Sequence, residues 1–191
     1  MKKIIAIIAF SLVALVSCNK FQVENTATVN LAGNWICTVY GDDGNGNWAI
    51  LGGAEFLTYN TVANVPTEIW ITDQKGFWQT FCKIDANNGA FSFGKEGKEY
   101  LDNYNGVGQM IWGGKVTNGG AKAPGTKSTV DKIEFFIAFS DDNTPYCSPY
   151  YVAGYRRTGF PEDEEEIITD FETPAFPTVP AVTEPLPTPA P

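Results

Sequence analysis

Histidine is missing from the chain altogether, at 0 of 191 residues. Without it the Ser/His/Asp and Cys/His arrangements of nucleophilic hydrolases, and the usual His-based zinc sites, are excluded. Positive charge is scarce too: 13 Lys and Arg face 22 Asp and Glu, for a net charge of −9. A chain this acidic lacks the basic patches that nucleic acid, or peripheral attachment to anionic lipid, would need. No stretch carries the apolar period of an amphipathic helix, and the longest apolar run falls short of the about 20 residues that span a bilayer. Carboxylate chemistry is what these absences leave, since a glycosidase needs two Asp or Glu residues at a set separation. Glu55, Glu68, Asp131 and Glu134 are the candidates. Glu134 alternates with the apolar face of its strand, and the others lie near predicted turns, where charged side chains are solvated. A calcium loop fails as well: Asp43, Asn45 and Asn47 alternate as in an EF-hand, yet Trp48 stands where Gly is needed and Ala54 where the bidentate Glu is needed. No catalytic residue, metal or cofactor is expected.

The one long apolar run, Ile4 to Phe10 and on through Leu12 to Val16, follows Lys2 and Lys3 and stops at Ser17 and Cys18. That is the charged start and apolar centre of a signal peptide, residues 1–17. Leu15-Val16-Ser17-Cys18 resembles the lipobox of bacterial lipoproteins. The resemblance implies that Cys18 becomes the lipidated N-terminus, with residues 18–30 as a tether. At about 0.8 kcal/mol per buried methylene, two or more acyl chains hold such a protein to its membrane without further help. The expected location is the cell envelope, at the outer membrane. Asn19 to Glu24 lacks the acidic run that surface-exposed lipoproteins share, so the periplasmic face and the cell surface both stay open. Three cysteines then remain, Cys37, Cys82 and Cys147, an odd number in a compartment where disulfides form. Cys37 and Cys82 sit in apolar stretches and read as buried thiols; no disulfide is assigned.

From Leu31 to Phe160 the chain is rich in Val, Ile, Thr, Phe, Tyr and Trp, punctuated by turn clusters such as Asp43-Gly44-Asn45-Gly46, Asn87-Asn88-Gly89 and Asn118-Gly119-Gly120. The period is two. Ile133, Phe135, Ile137 and Phe139 alternate with Glu134, Phe136, Ala138 and Ser140, the signature of a strand with one strongly apolar face. Further strands are expected at Trp35 to Tyr40, Trp48 to Tyr59, Glu68 to Thr72, Trp78 to Ile84, Ala90 to Phe93, Gln109 to Val116 and Tyr150 to Arg157. About eight short strands at this spacing predict an antiparallel barrel or sandwich over residues 31–160. Residues 161–191 change character, with an acidic run Glu162 to Glu166 followed by Pro174, Pro177, Pro180, Pro185, Pro187, Pro189 and Pro191. Proline at that density predicts an extended, disordered spacer.

Gly33-Asn34-Trp35 on the first strand, and Arg156-Arg157 on the last, resemble lipocalins, in which such a Trp closes one end of an eight-stranded barrel against an Arg. A guanidinium stacked on an indole explains that pairing. Gly113 to Val116, Val130 to Phe135 and Gly154 to Phe160, with Leu31 to Trp35, are similar to a family of small Bacteroidetes lipoproteins described as lipocalin-like, lipid-binding putative hydrolases. The resemblance implies an eight-stranded antiparallel lipocalin-like barrel with barrel closure at Gly33, Trp35, Arg156 and Arg157, and a lipid-like ligand. On alternation, Phe91 and Phe93, Met110 and Trp112, and Phe135, Ile137 and Phe139 form inward sets. They are the candidate ligand-binding residues, since pockets of such folds are apolar and aromatic. The expected function is a membrane-anchored, non-catalytic lipoprotein that binds a small hydrophobic or amphipathic molecule. The alternatives are a structural or accessory lipoprotein that meets an envelope partner through outer aromatics such as Phe136 or through its acidic tail, and a carbohydrate binder using Trp48, Trp70 and Tyr104.

Overall fold

The computed structural model describes residues 25–142, 148–164, 168 and 171–186. The expected signal peptide, Cys18 and Cys147 lie outside them.

The strands in chain order are β1 (Gly33–Asp42), β2 (Trp48–Asn60), β3 (Glu68–Thr72), β4 (Phe81–Asn87), β5 (Ser92–Phe93), β6 (Glu99–Leu101), β7 (Gly108–Lys122), β8 (Thr129–Phe139) and β9 (Tyr150–Arg156). All pair antiparallel in the order β5-β4-β3-β2-β1-β9-β8-β7-β6, and β5 also pairs with β7. That last pairing closes a ring of eight strands, so the expected all-β, eight-stranded near-barrel is what the chain forms. The seam is shared. β5 meets the middle of β7 through Ser92↔Lys115 and Phe93↔Gly114, while β6 meets its start through Glu99↔Met110, Tyr100↔Gln109 and Leu101↔Gly108. Glycine makes the lower half of the seam possible: a Cβ on Gly114 would stand 2.4 Å from the Phe93 carbonyl oxygen. Among the described residues, helical structure is confined to two 3-10 turns, Asn88–Ala90 and Pro161–Asp163.

Strand boundaries move where side chains compete with the ladder. β4 starts at Phe81 rather than Trp78, because residues 73–80 make a loop in which Gln74, Lys75 and Gln79 take φ of 52°, 69° and 60°. β5 loses its first half to the 3-10 turn, which the Asn87 side chain caps by accepting from Ala90 N; Phe91 ends it at φ 55°. β6 was not expected, since three residues are too few to show a period.

The described loop residues at one end, 43–47, 73–80, 102–107, 140–142 and 148–149, surround what we call the mouth; the other end is closed. Part of the expected tether belongs to that closed end. Ala27 N donates to Asn64 Oδ1 (2.8 Å), Asn30 N to Asn88 Oδ1 (3.0 Å), and Thr28 is fully buried.

Residues 171–186 of the tail are extended, as their prolines dictate, and they lie against the domain. Phe171 packs into the outer cluster of Tyr40, Tyr151 and Ala153, and Val179 into that of Met110, Trp112 and Ala138. The wall beneath these residues is apolar, and covering it removes it from water.

Candidate functional site

Three layers fill the ring. At the closed end Trp35 is fully buried, its indole N–H donating to Thr58 Oγ1 (2.8 Å), and the Arg156 guanidinium lies 4.5 Å from its ring centre. Arg156 also bonds Asp131 Oδ2 (3.0 Å) and the Ala32 carbonyl (2.6 Å). Gly33 is what this stack allows: a Cβ there would meet Arg156 Nη1 at 2.6 Å. Arg157 points the other way, to Glu55 (2.9 Å) and Glu164 (2.7 Å) on the outer surface.

In the middle layer Phe135 of β8 meets Phe56 of β2 edge-on at 5.2 Å and Phe93 of β5 at 5.6 Å, so rings from opposite walls touch across the barrel. Burial pushes the thiols of Cys37 and Cys82, both inside this core, far above the ordinary cysteine range. They are inert, not nucleophilic, positions.

The third layer is the mouth. Phe77 and Trp78, from the 73–80 loop, fold over the last core residues: Trp78 stacks on Phe139 at 4.6 Å and 10°, and Phe77 sits edge-on to Tyr150 at 5.3 Å. The Trp78 indole N–H donates to Asp141 Oδ1 (2.9 Å) across the opening. A buried carboxylate shapes the loop from within. Asp73, 1 % exposed, accepts from Lys75 N (2.8 Å), Phe77 N (3.0 Å) and Trp78 N (2.6 Å). Asp102 does the same for the neighbouring loop, accepting from Tyr104 N (2.7 Å), Asn105 N (3.0 Å) and Phe81 N. It also accepts from Gln109 Nε2 (3.1 Å), whose Oε1 faces Cys82 Sγ at 3.7 Å. Polar groups thus reach the upper interior. Tyr150 joins them at the rim, its hydroxyl donating to Asp142 (3.1 Å) and pushed up to about 12 by burial and then by that carboxylate.

Of the residues expected to face inward, Phe93, Phe135, Ile137 and Phe139 do. Met110 and Trp112 do not. They stand opposite Ala138 and Phe136, and directly paired residues share a face, so both point out of the barrel under the tail. Ile111 between them is the inward residue. Phe91 is half-buried at the end of the 3-10 turn and lies outside the interior cluster. Sequence reasoning missed Phe56, Phe77, Asp73, Asp102 and Gln109. Ala54, Phe56 and Thr58 do alternate in β2, which was a usable signal for Phe56. Asp followed by a Gly-containing turn and two aromatics, Asp73 to Trp78, was a usable signal for the loop.

The carboxylates that could have formed a catalytic pair are dispersed in separate ion pairs, Glu55 with Arg157, Glu68 with Lys83 (3.1 Å), Asp131 with Arg156 and Glu134 with Lys132 (2.5 Å). Burial would raise Glu134, but the Lys132 ammonium and the Tyr151 hydroxyl hold it below the usual carboxylate range. In the 43–47 hairpin Asp43 is spent on its own loop, accepting from Asn45 N and Asn47 N, which lowers it in turn. Among the described residues no three His, Cys, Asp or Glu side chains converge as a metal site. Outside the barrel near the mouth, Trp70 stacks on Phe81 at 4.8 Å and Phe81 on Tyr104 at 4.9 Å, with Lys75 4.7 Å over Tyr104. Trp48, the third residue of that expected set, lies on a different wall beneath the tail.

A family model described as "lipid-binding putative hydrolase" matches residues 20–161. No curated protein matches the chain.

Proposed function

We propose, given that the chain belongs to the lipid-binding putative hydrolase family, that it binds a small hydrophobic or amphipathic, lipid-like molecule through the mouth of its near-barrel and does not hydrolyse it. The observation that carries this reading is the Phe77–Trp78 lid. The far end is plugged by the Trp35–Arg156 stack and the segment before β1, whereas the mouth is covered by the 73–80 loop, whose two aromatic rings are half-buried and rest on Phe139 and Tyr150. An apolar ligand offers Phe139 and Tyr150 the same contact that the lid rings offer, so lid opening and ligand entry exchange like for like. Gln109, Asp141 and Tyr150 are the polar groups near which a head group would lie.

Against catalysis stand the absence of histidine, the inert interior thiols and the dispersal of the carboxylates into separate ion pairs. The envelope location and the lipid anchor at Cys18 belong to the same proposal and rest on the lipobox-like Leu15-Val16-Ser17-Cys18. Native mass spectrometry of the protein purified from its own host tests the binding reading. A defined lipid at one per chain is the expected result; an empty protein that also ignores a lipid panel refutes it.

The outer row of Trp70, Phe81 and Tyr104 favours a second reading, an accessory lipoprotein that docks an envelope partner. Tyr59, Leu101 and Tyr104 are 39, 50 and 43 % exposed around that row, the sort of gathered apolar surface that partners cover. Loss of a co-purifying protein on Trp70→Ala, with lipid content unchanged, would support it.

A further inference from the structure

The wall formed by β2, β1, β9, β8 and β7 is aromatic on its outer side. Tyr40, Tyr151, Trp48, Phe136 and Trp112 form a continuous set of ring contacts, from Tyr40–Tyr151 at 5.8 Å to Trp112–Phe136 at 5.4 Å. Residues 171–179 lie in this groove, and 183–186 continue onto the turn between β5 and β6 and onto β6. The Trp48 indole N–H donates to the Pro174 carbonyl (2.8 Å), and Phe176 packs on the Trp48 ring at 4.4 Å. Val179 covers Met110 and Trp112. Further on, Glu184 pairs with Lys95, and the Gly97 carbonyl accepts from Thr183 N (2.8 Å).

A proline-rich chain laid over aromatic rings, with an indole N–H on a proline carbonyl, is how extended polyproline-type segments are recognised in general. The segment is attached as a ligand is. Its hydrogen bonds to the barrel are few along residues 171–182 and gather at 183–186 against Gly97 and Glu99, its one bridge is Lys98↔Glu184, and it lies beyond the family-matched residues 20–161. Between it and the wall remains a cleft of about 390 Å³ floored by Phe136 and Tyr151 and rimmed by Lys132 and Glu134.

We propose that this outer wall is a docking groove for an extended, proline-rich polypeptide, and that the chain's own residues 171–186 fill it as a built-in competitor. The partner that fits carries an aromatic residue two positions after a proline, as Phe176 follows Pro174, and an acidic residue placed to meet Lys95, as Glu184 does. Tethering gives the cis segment an effective concentration of about millimolar order, so a free partner must bind tightly or arrive at high local density to displace it.

The test uses the full chain with Phe176→Ala and Val179→Ala, which loosen the strap, and a fluorescent peptide of residues 171–186 followed by anisotropy. The peptide should bind the loosened chain at least tenfold more tightly than the wild type, and adding Trp48→Ala should cost at least tenfold. In the wild type, limited proteolysis should cut within residues 171–186 before any cut in the barrel. Equal or absent binding to both chains overturns the proposal. So does loss of cooperative unfolding in the loosened chain, or simultaneous cleavage of strap and barrel, because the strap would then be part of the fold.

Discussion

If Trp78 holds the mouth shut, removing it should tighten ligand binding. The closed lid keeps an aromatic stack on Phe139 at 4.6 Å and a hydrogen bond to Asp141 at 2.9 Å. The stack is worth about 0.5–1.5 kcal/mol beyond burial, and a partly exposed hydrogen bond about 0.5–1.5 kcal/mol. Together they favour the closed state by roughly 1–3 kcal/mol. A ligand that requires the open state has its apparent affinity reduced by the open fraction. Trp78→Ala should therefore lower the apparent Kd by about 5- to 150-fold, and Asp141→Asn, which removes the charge but leaves an acceptor, by less. Titration with the neutral fluorescent probe N-phenyl-1-naphthylamine reads both. Both variants should unfold cooperatively, at slightly lower temperature than the wild type. Unchanged or weaker binding by a folded Trp78→Ala protein would refute the lid.

The two arginines at the end of the last strand should separate cleanly: Arg156→Ala, which removes the stack on Trp35 and leaves Asp131 with only the Gly119 N–H, should cost about 2 kcal/mol in a denaturant melt, and Arg157→Ala about 1 kcal/mol or less. Asp163 accepts from Thr158, Thr126 and Gly125; burial would raise it, but these bonds hold it below the usual range. Its contribution is thus present above the unfolded value of about 3.9 and lost as pH falls through the folded one. Asp163→Asn should accordingly be less stable than the wild type at pH 7, with the gap in melting temperature closing below about pH 4. The mouth loops carry Asp43, Asp73, Asp102, Asp141 and Asp142 against Lys75, so an alkylamine should bind better than the fatty acid of equal length, and the preference should fade with added salt. Cys37 and Cys82 should resist iodoacetamide in the native protein and react together on unfolding, read by intact mass.

Fold class was legible because period two is plain in β8, and elsewhere short runs rich in β-branched and aromatic residues are separated by turn clusters. Ring closure was legible at one end, since Gly33-Asn34-Trp35 and Arg156-Arg157 mark the ends of the first and last strands. The seam was not. β5 and β6 have two and three residues, and what brings β5 onto β7 is the lack of a Cβ at Gly114, which leaves no periodic trace. The lid was hidden for a related reason. Phe77 and Trp78 are apolar and adjacent to β4, so alternation absorbs Trp78 into the strand; what keeps it out is the Asp73 carboxylate binding the loop's own N–H groups, a local competition with the ladder.

Met110 and Trp112 show where alternation stops informing. A strand with water on one side announces its inner face by polarity, but Met110, Ile111 and Trp112 are all buried, the first and last by residues 171–186 and the middle one by the core. Side-chain size then misleads, because the larger residues can lie on either covered face. The decision had to come from β8. There Glu134 marks the outer face, Phe136 and Ala138 follow it at period two, and antiparallel pairing carries that assignment to Trp112 and Met110. The same reasoning turns the error into a signal. A strand that is apolar on both faces, pairing with one that declares its outer face, requires something to cover that face, and in this chain the proline-rich tail is the segment that covers it.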